Sequence, residues 1–380
     1  MGMTPEEVEL LNELTIVIPT YNRPLELERA IEYWRDLPVT VHILDGSKSP
    51  WFPIGRLPDT LKISYHHFPQ FNEEDVPDNY IRRIKFGSEL STSNFAALCS
   101  DDDLFTVDGL LVALRALNDD VCDVVLGKSA QYLFRNGKFE WKRVNFTWRS
   151  DEASLSHDFS VRYRSVRSGS TYYGIFKTHY WKEVRLSSVE EKFSNVGAVE
   201  NIANYLSKVL CRLLVIQEYL WVTNYPDKTY GNARYKFEKF SYWLHDEKNK
   251  PEVQMFIHVL EKGLRKFITS NSNLDVKKIA DDILIRKSRA PELNPVIRAR
   301  VLVNKKFLFL VSRFPLAVRT RIFKLLPPRW KKILRTPDFV DSRTPVMEID
   351  ANDLSIRRSV IIWESIMLKS REELRLRANI

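Results

Sequence analysis

Cysteine is scarce in this chain. The three present, Cys99, Cys122 and Cys211, are scattered and show no metal-ligand spacing. They provide no disulfide framework and favour a reducing compartment. No apolar run approaches the length needed to cross a bilayer. Met1 to Glu13 is polar and acidic, which does not read as a signal peptide. Internal repeats and low-complexity segments are missing as well. No nucleic-acid recognition motif accompanies the basic residues, so nucleic acid is not an expected partner. What remains is a 380-residue chain, 44% hydrophobic and 12% aromatic, with a net charge of +9. That is long enough for two domains, or for one with a large appendage. The positive balance points to an anionic partner.

The first buried element is legible at Leu14 to Pro19, LTIVIP, a continuous β-rich run suited to a strand covered on both faces. Thr20-Tyr21-Asn22-Arg23-Pro24 follows as a turn. The spacing then predicts a helix from about Pro24 to Trp34, with Leu27, Ala30, Ile31 and Trp34 as its inner stripe. A second strand, Val39 to Leu44, ends at Asp45-Gly46-Ser47. A β-α-β unit of this kind implies a parallel pair with a right-handed crossover, which puts Thr20 and Asp45 at one sheet edge. A third strand is expected over Leu61 to Tyr65, and Trp51 to Asp59 reads as a Pro-rich loop. Asn79 to Leu90 reads as a helix carrying Tyr80, Arg82, Arg83 and Lys85; its basic face suits solvent or a bound diphosphate.

The stretch around which the rest is organised is Phe95-Ala96-Ala97-Leu98-Cys99-Ser100-Asp101-Asp102-Asp103-Leu104-Phe105. A short buried strand ends in three aspartates, which repel one another and resist desolvation. They need solvent, hydrogen-bond donors or a cation; as hard oxygen ligands they suit Mg²⁺ or Mn²⁺. The same residues also suit a solvated loop or a helix cap. A helix follows from Val107 to Asn118. Strand, acidic tip and helix make an α/β arrangement, whose sites lie at the carboxyl ends of the strands.

Further on, Asp123 to Leu126 reads as a strand and Gln131 to Trp148 as a hairpin turning at Asn136-Gly137. Arg167 to Gly174 reads as a substrate-facing loop or an ordinary turn before Ile175-Phe176. Val199-Glu200-Asn201 reads as the opening of a helix over Ile202 to Val209, where Glu200 in a first turn suits the helix dipole. Strands are expected over Leu213 to Ile216 and Tyr219 to Thr223. From about Pro226 the composition turns basic, aromatic and helical, with helices expected over Glu252 to Phe267, Val276 to Lys287 and Ile356 to Leu376. This divides the chain into 1–225 and a mainly helical 226–380. Phe307 to Thr336 holds no acidic residue; its Arg and Lys alternate with Phe307, Phe309, Phe314, Phe323 and Trp330. Such a run suits an anionic membrane surface, or a basic helical pair packed on its own domain.

Taken together, VIPTYNRP, the strand ending in Asp45 and LCSDDDLFTVDGL resemble the family-2-like glycosyltransferases of the GT-A fold, over roughly Leu14 to Tyr225. The resemblance implies an α/β fold with a mostly parallel central sheet and flanking helices. It implies transfer of a sugar from a nucleotide-sugar donor, a UDP-sugar foremost, with Mn²⁺ or Mg²⁺ as cofactor. The acceptor would be a saccharide or a lipid-linked saccharide of surface polysaccharide synthesis, and the place cytoplasmic or peripheral on the inner membrane face. By the same resemblance Pro19, Thr20, Tyr21 and Arg23 line the donor pocket, Asp45 accepts from the base, and Arg83 or Lys85 lies near base or phosphates. Asp101 belongs with the ribose, Asp102 with the metal, and Asp103 is the alternative ligand. The family's later Glu-Asp pair is Glu200-Asn201 here, which leaves Glu200 as the base of an inverting, single-displacement reaction. A nucleotidyltransferase also wants a parallel sheet and paired aspartates, but no glycine-rich loop follows the first strand. A non-catalytic nucleotide-sugar binder is the other alternative, because Asn201 cannot serve as a base.

Overall fold

In a computed structural model, the described residues are 3–51, 62–70, 72, 76–135, 138–144, 152–165, 171–224, 240–244 and 246–266, with isolated positions 276, 277, 279, 359, 362, 363, 365 and 366. The acid-free stretch 307–336, the expected loop over 52–59 and the turn at 136–137 lie outside them. All described residues belong to one compact unit, formed by Met1–Ile283 and Glu348–Ile380.

In chain order the elements are α1 (Pro5–Asn12), β1 (Leu14–Thr20), α2 (Pro24–Trp34), β2 (Thr40–Asp45), β3 (Ile63–His67), α3 (Val76–Leu90), β4 (Phe95–Leu98), β5 (Leu104–Phe105), α4 (Val107–Asn118), β6 (Val124–Arg135), β7 (Lys138–Val144), α5 (Phe159–Ser165), β8 (Ile175–Lys177), α6 (Thr178–Ser188), α7 (Val196–Leu210), β9 (Leu213–Asn224), α8 (Phe240–Trp243) and α9 (Lys250–Arg265). The strands form one sheet in the order β3-β2-β1-β4-β8-β6-β9-β5, with β7 hairpinned onto β6. Strands β3, β2, β1 and β4 are parallel neighbours, and β6 and β9 are a parallel pair; β8 runs antiparallel between β4 and β6, and β5 antiparallel to β9. The result is a mostly parallel central sheet with flanking helices, the GT-A-like class that the resemblance implies.

Local chemistry accounts for the elements that set the site. Buried on both faces, β1 pairs Ile18 with Ile43 and Thr20 with Asp45. Proline opens α2 at a position where its missing N–H costs nothing, and Leu27, Ala30, Ile31, Tyr33 and Trp34 are buried beneath it. The threonine at 106 caps α4 by accepting from Gly109 N at 3.1 Å, and its own hydroxyl donates to Tyr219 O, tying α4 to β9. Gly109 makes the approach feasible: a Cβ there would stand 2.3 Å from the Tyr219 carbonyl oxygen.

Three expectations change. The two strands read around Leu213–Ile216 and Tyr219–Thr223 are one strand, β9, whose pairing with β6 shifts register between Leu126 and Ser129. The strand from Asp123 and the first arm of the hairpin are likewise one strand, β6. Finally, α7 begins at Val196, not beside Glu200; Asn195 caps it, its side-chain oxygen accepting from Gly197 N at 2.8 Å. Val196-Gly197 is a poor helix-forming start by propensity, and the cap decides the boundary.

Residues beyond 225 also enter this unit. Helix α9 buries Phe256, Val259, Leu260 and Leu264, and a Cβ on Gly263 would meet Leu206 of α7 at 2.9 Å. The Ser359 hydroxyl accepts from Val107 N at 2.9 Å, and the Trp363 ring packs edge-on against Tyr33 and Tyr132.

Candidate active site

Parallel pairing brings the carboxyl ends of β1, β2 and β4 to one edge. Thr20 stands beside Asp45 in register, and Cys99 N donates to Val17 O at 3.0 Å, so the chain leaving β4 emerges next to Thr20. There the Thr20 hydroxyl donates to Asp101 Oδ2 at 2.6 Å. The Arg23 guanidinium, through Nη1, lies 2.9 Å from both Asp101 Oδ1 and Asp102 Oδ2. Burial is the main influence on Asp101 and pushes its carboxyl up; the Asp102 charge adds to this, while Arg23 and Thr20 act against it. Burial raises Asp102 too, with Arg23 opposing. Burial disfavours the Arg23 charge, yet Asp101 and Asp102 hold it above its ordinary value.

Asp103 has a different environment. Its Oδ2 accepts from the Trp221 indole at 3.1 Å, and its carbonyl accepts from Cys99 Sγ at 3.4 Å. The aspartates that converge on one cationic group are therefore Asp101, which the resemblance puts with the ribose, and Asp102, which it puts with the metal; Asp103, its alternative ligand, is held apart. The turn after β4 brings Asp101 and Asp102 to Arg23 and Asp103 to Trp221, a division that a run of three identical residues cannot reveal.

Asp45 is almost fully buried and its carboxylate is richly bonded. Oδ1 accepts from Ser47 N at 2.8 Å and Ser47 Oγ at 2.5 Å; Oδ2 accepts from Tyr65 OH at 2.6 Å and Trp51 N at 3.4 Å. The carboxylate thus latches the loop after β2. Arg83 is buried beside it and donates from Nη1 to Thr20 O at 2.8 Å and Leu44 O at 3.1 Å, tying the ends of β1 and β2 together. Gly46 lets that happen: a Cβ there would stand 2.6 Å from Asn79 Oδ1 and 2.9 Å from Arg83 Cζ. Lys85, two residues along α3 and so on another face, is exposed and does not join them.

Between these elements lies a cleft of about 340 Å³, lined by Thr20, Arg23, Asp45, Ser47, Lys48 and Trp51 among others. Its volume is at the lower end of the small-molecule range. Half-buried Pro19 pairs with Leu44 one residue before the end of β1, and half-buried Tyr21 accepts at its hydroxyl from Gln70 Nε2 at 3.5 Å. Asn22 between Tyr21 and Arg23 takes a left-handed φ of 53°, a conformation asparagine tolerates.

Glu200 is in the second turn of α7, so the favourable first-turn dipole position read from the sequence is not where it sits. It is half-buried, and burial raises its carboxyl, with Arg185 the opposing influence. Burial is the main cause that pushes up the phenols of Tyr80, Tyr172 and Tyr173, and the Glu200 charge adds to it. Asn201 donates from its amide to Gly197 O at 2.7 Å, a bond within its own helix. Arg185 escaped the sequence reading. Its guanidinium is buried between the rings of Tyr172, 3.9 Å from Cζ to centroid, and Trp181, 4.4 Å. It donates to Tyr172 O, while its Nε and Nη1 have no hydrogen-bond partner among the described residues. Tyr173 and Trp221 were missed as a pair. Their rings stack at 4.5 Å and 13°, with Trp221 bonded to Asp103 and Ser100 Oγ donating to Tyr173 OH at 3.4 Å. This aromatic pair links the acidic tip to the neighbourhood of Glu200. Nothing in their spacing, 48 positions apart on a loop and a strand, announces it.

No family model matches the sequence, and no curated protein matches it. Among solved structures, S. aureus TarS 1-349 matches at 12% identity and a TM-score of 0.42, covering 74% of this chain and 72% of that one. The same TarS fragment in complex with UDP-GlcNAc matches at 12% identity and 0.43, over 95% and 92% of the two chains. In complex with UDP it matches at 12% and 0.40, over 95% and 91%. A likeness at these values carries no argument about function, which has to come from the site.

Proposed function

We propose that the protein is a nucleotide-sugar-dependent glycosyltransferase that transfers its sugar with inversion to a saccharide or lipid-linked acceptor of surface polysaccharide synthesis. The observation that carries this is the gathering of Thr20, Arg23 and Asp45 on one cleft at the carboxyl ends of parallel strands, with the Asp101–Asp102 pair bonded to Thr20 and Arg23. Arg23 and Lys48 supply positive charge for a diphosphate. Trp51 offers aromatic surface for a base, and Asp45 holds the Ser47–Trp51 wall in place.

The donor set also suits a divalent cation. Asp101 and Asp102 are hard oxygen ligands, and both already point at a single cationic group, Arg23. Asp102, with Asp101 or Asp103 beside it, would hold Mn²⁺ or Mg²⁺. When bound, such a cation stabilises the departing diphosphate as a Lewis acid.

Glu200 is the base in this reading. It takes the proton from the acceptor hydroxyl; the acceptor oxygen bonds to the anomeric carbon; the bond from that carbon to the diphosphate oxygen breaks on the opposite face. Burial raises Glu200, which strengthens it as a base at the cost of its ionised fraction. Arg185 offsets part of that.

The test is incubation with a panel of nucleotide sugars, Mn²⁺ and saccharide acceptors, reading free nucleoside diphosphate and the new glycoside. Release of nucleoside diphosphate matched by glycoside supports the reading. Pyrophosphate release would make it a nucleotidyltransferase, and binding of nucleotide sugars without turnover a binder only.

A further inference from the structure

Arg23 occupies an odd place. It is the N-cap residue of α2 and makes no side-chain cap bond. Asn, Asp, Ser or Thr suit that position, and a cation at a helix N-terminus faces the positive end of the macrodipole. Local helix chemistry thus does not favour it, and its partners are elsewhere. One nitrogen bridges two carboxylates from a strand end 78 residues away in sequence, at 2.9 Å each. Its side chain still keeps 26% of its surface exposed, and it lines the cleft.

We propose that Arg23 is a displaceable internal counter-cation of the Asp101–Asp102 pair, which holds a divalent cation off until a diphosphate arrives to take the guanidinium in exchange. The inference deepens the donor-site reading of the cleft and rests on it for the diphosphate. A guanidinium and a divalent cation cannot share the same carboxylate oxygens without like-charge repulsion. Metal entry therefore requires Arg23 to leave. The planar guanidinium matches phosphate oxygens with two parallel hydrogen bonds, whereas here one nitrogen serves two separate carboxylates. A diphosphate in the cleft offers it a better-matched partner and frees the aspartates. Metal and donor binding are then coupled through one side chain, and the coupling is reciprocal.

The experiment is Mn²⁺ alone, titrated into the full chain and followed by electron paramagnetic resonance of the free ion, for the parent, Arg23→Gln and Arg23→Lys. Circular dichroism and melting establish that each variant is folded. With the internal cation gone, Arg23→Gln should bind Mn²⁺ about tenfold or more tightly than the parent. Arg23→Lys, which keeps the positive charge on a shorter side chain, should fall between them and serves alone if the Gln variant does not fold. Adding Asp102→Asn should erase the gain. Equal or weaker Mn²⁺ binding by the folded variants overturns the proposal. Failure of the donor-site reading looks different: UDP would bind none of the proteins, with or without Mn²⁺, while the Mn²⁺-alone comparison would stand.

Discussion

Replacing Asp45 by alanine separates two roles that one carboxylate could play. Its oxygens accept from Ser47 N, Ser47 Oγ, Tyr65 OH and Trp51 N at 2.8, 2.5, 2.6 and 3.4 Å. Three of these are good hydrogen bonds to a charged acceptor, worth about 1.5–3 kcal/mol each in isolation. They are not additive, because Ser47 and Tyr65 regain some water once the loop loosens. Removing one side of a buried charged network costs roughly 3–5 kcal/mol in comparable cases, and that is the expected loss for Asp45→Ala. Asp45→Asn turns one acceptor oxygen into a donor facing other donors, so it should lose a smaller part of this. The assay is thermal melting alongside calorimetric titration with UDP. Asp45→Ala should melt several degrees lower and bind UDP more weakly, because the Ser47–Trp51 wall of the cleft is no longer held. A variant that melts with the parent while losing UDP would refute the latch and make Asp45 a direct ligand of the base.

Glu200→Gln should keep the fold and UDP affinity yet slow transfer by roughly two to four orders of magnitude, the contribution of a positioned base; transfer at the parent rate would remove Glu200 from the mechanism. Because burial raises Glu200 and the reaction needs its ionised form, the acid limb of the pH–rate profile should lie above the ordinary glutamate range. Since Arg185 opposes the shift, Arg185→Gln should move that limb to still higher pH; a lower or unmoved limb contradicts the assignment. Cys99 and Cys211 are fully buried with thiols pushed well up, and Cys122 is raised to about 12, in each case chiefly by burial. A thiol reagent should thus label none of them before denaturant does, and rapid labelling of the native protein would argue for an opening near the site. For Phe307 to Thr336, liposome co-sedimentation should require anionic lipid and fall with salt; equal partitioning onto neutral vesicles would return the segment to its own domain.

Much of the fold could be read because its first half is locally consistent. LTIVIPT has no charged position to compete with a buried strand, and PLELERAIEYW places its apolar residues on one face after an N-terminal proline. The β-α-β handedness rule then sets Thr20 beside Asp45 without any structure. Reading degraded where tertiary contacts decide. The long strand β9 was split because Gln217 and Glu218 interrupt its apolar run, yet the register shift against β6 accommodates them. The start of α7 was misplaced because Val-Gly-Ala hides what the Asn195 cap specifies.

The site divides along the same line. Thr20, Arg23, Asp45 and the aspartates lie at the ends of consecutive parallel strands, so sequence order and spatial order agree and the residues could be named. What surrounds Glu200 comes from four elements that meet only after the antiparallel strand β8 is inserted between β4 and β6: Tyr80 from α3, Tyr172 and Tyr173 from the turn before β8, Arg185 from α6 and Trp221 from β9. No periodicity links them. The split has an electrostatic consequence. At the cleft, each carboxylate of the Asp101–Asp102 pair is met by a cation within hydrogen-bonding distance. Among the described residues, Glu200 has only the longer-range influence of Arg185, whose guanidinium is occupied by aromatic rings and a carbonyl. Burial raises all three carboxyls, so what separates them is occupancy: the Asp101 and Asp102 oxygens are engaged by Arg23 and Thr20, while no cation stands at hydrogen-bonding distance from Glu200 among the described residues. That difference, rather than position along the helix, is why we propose charge-holding for the aspartates and proton transfer for Glu200.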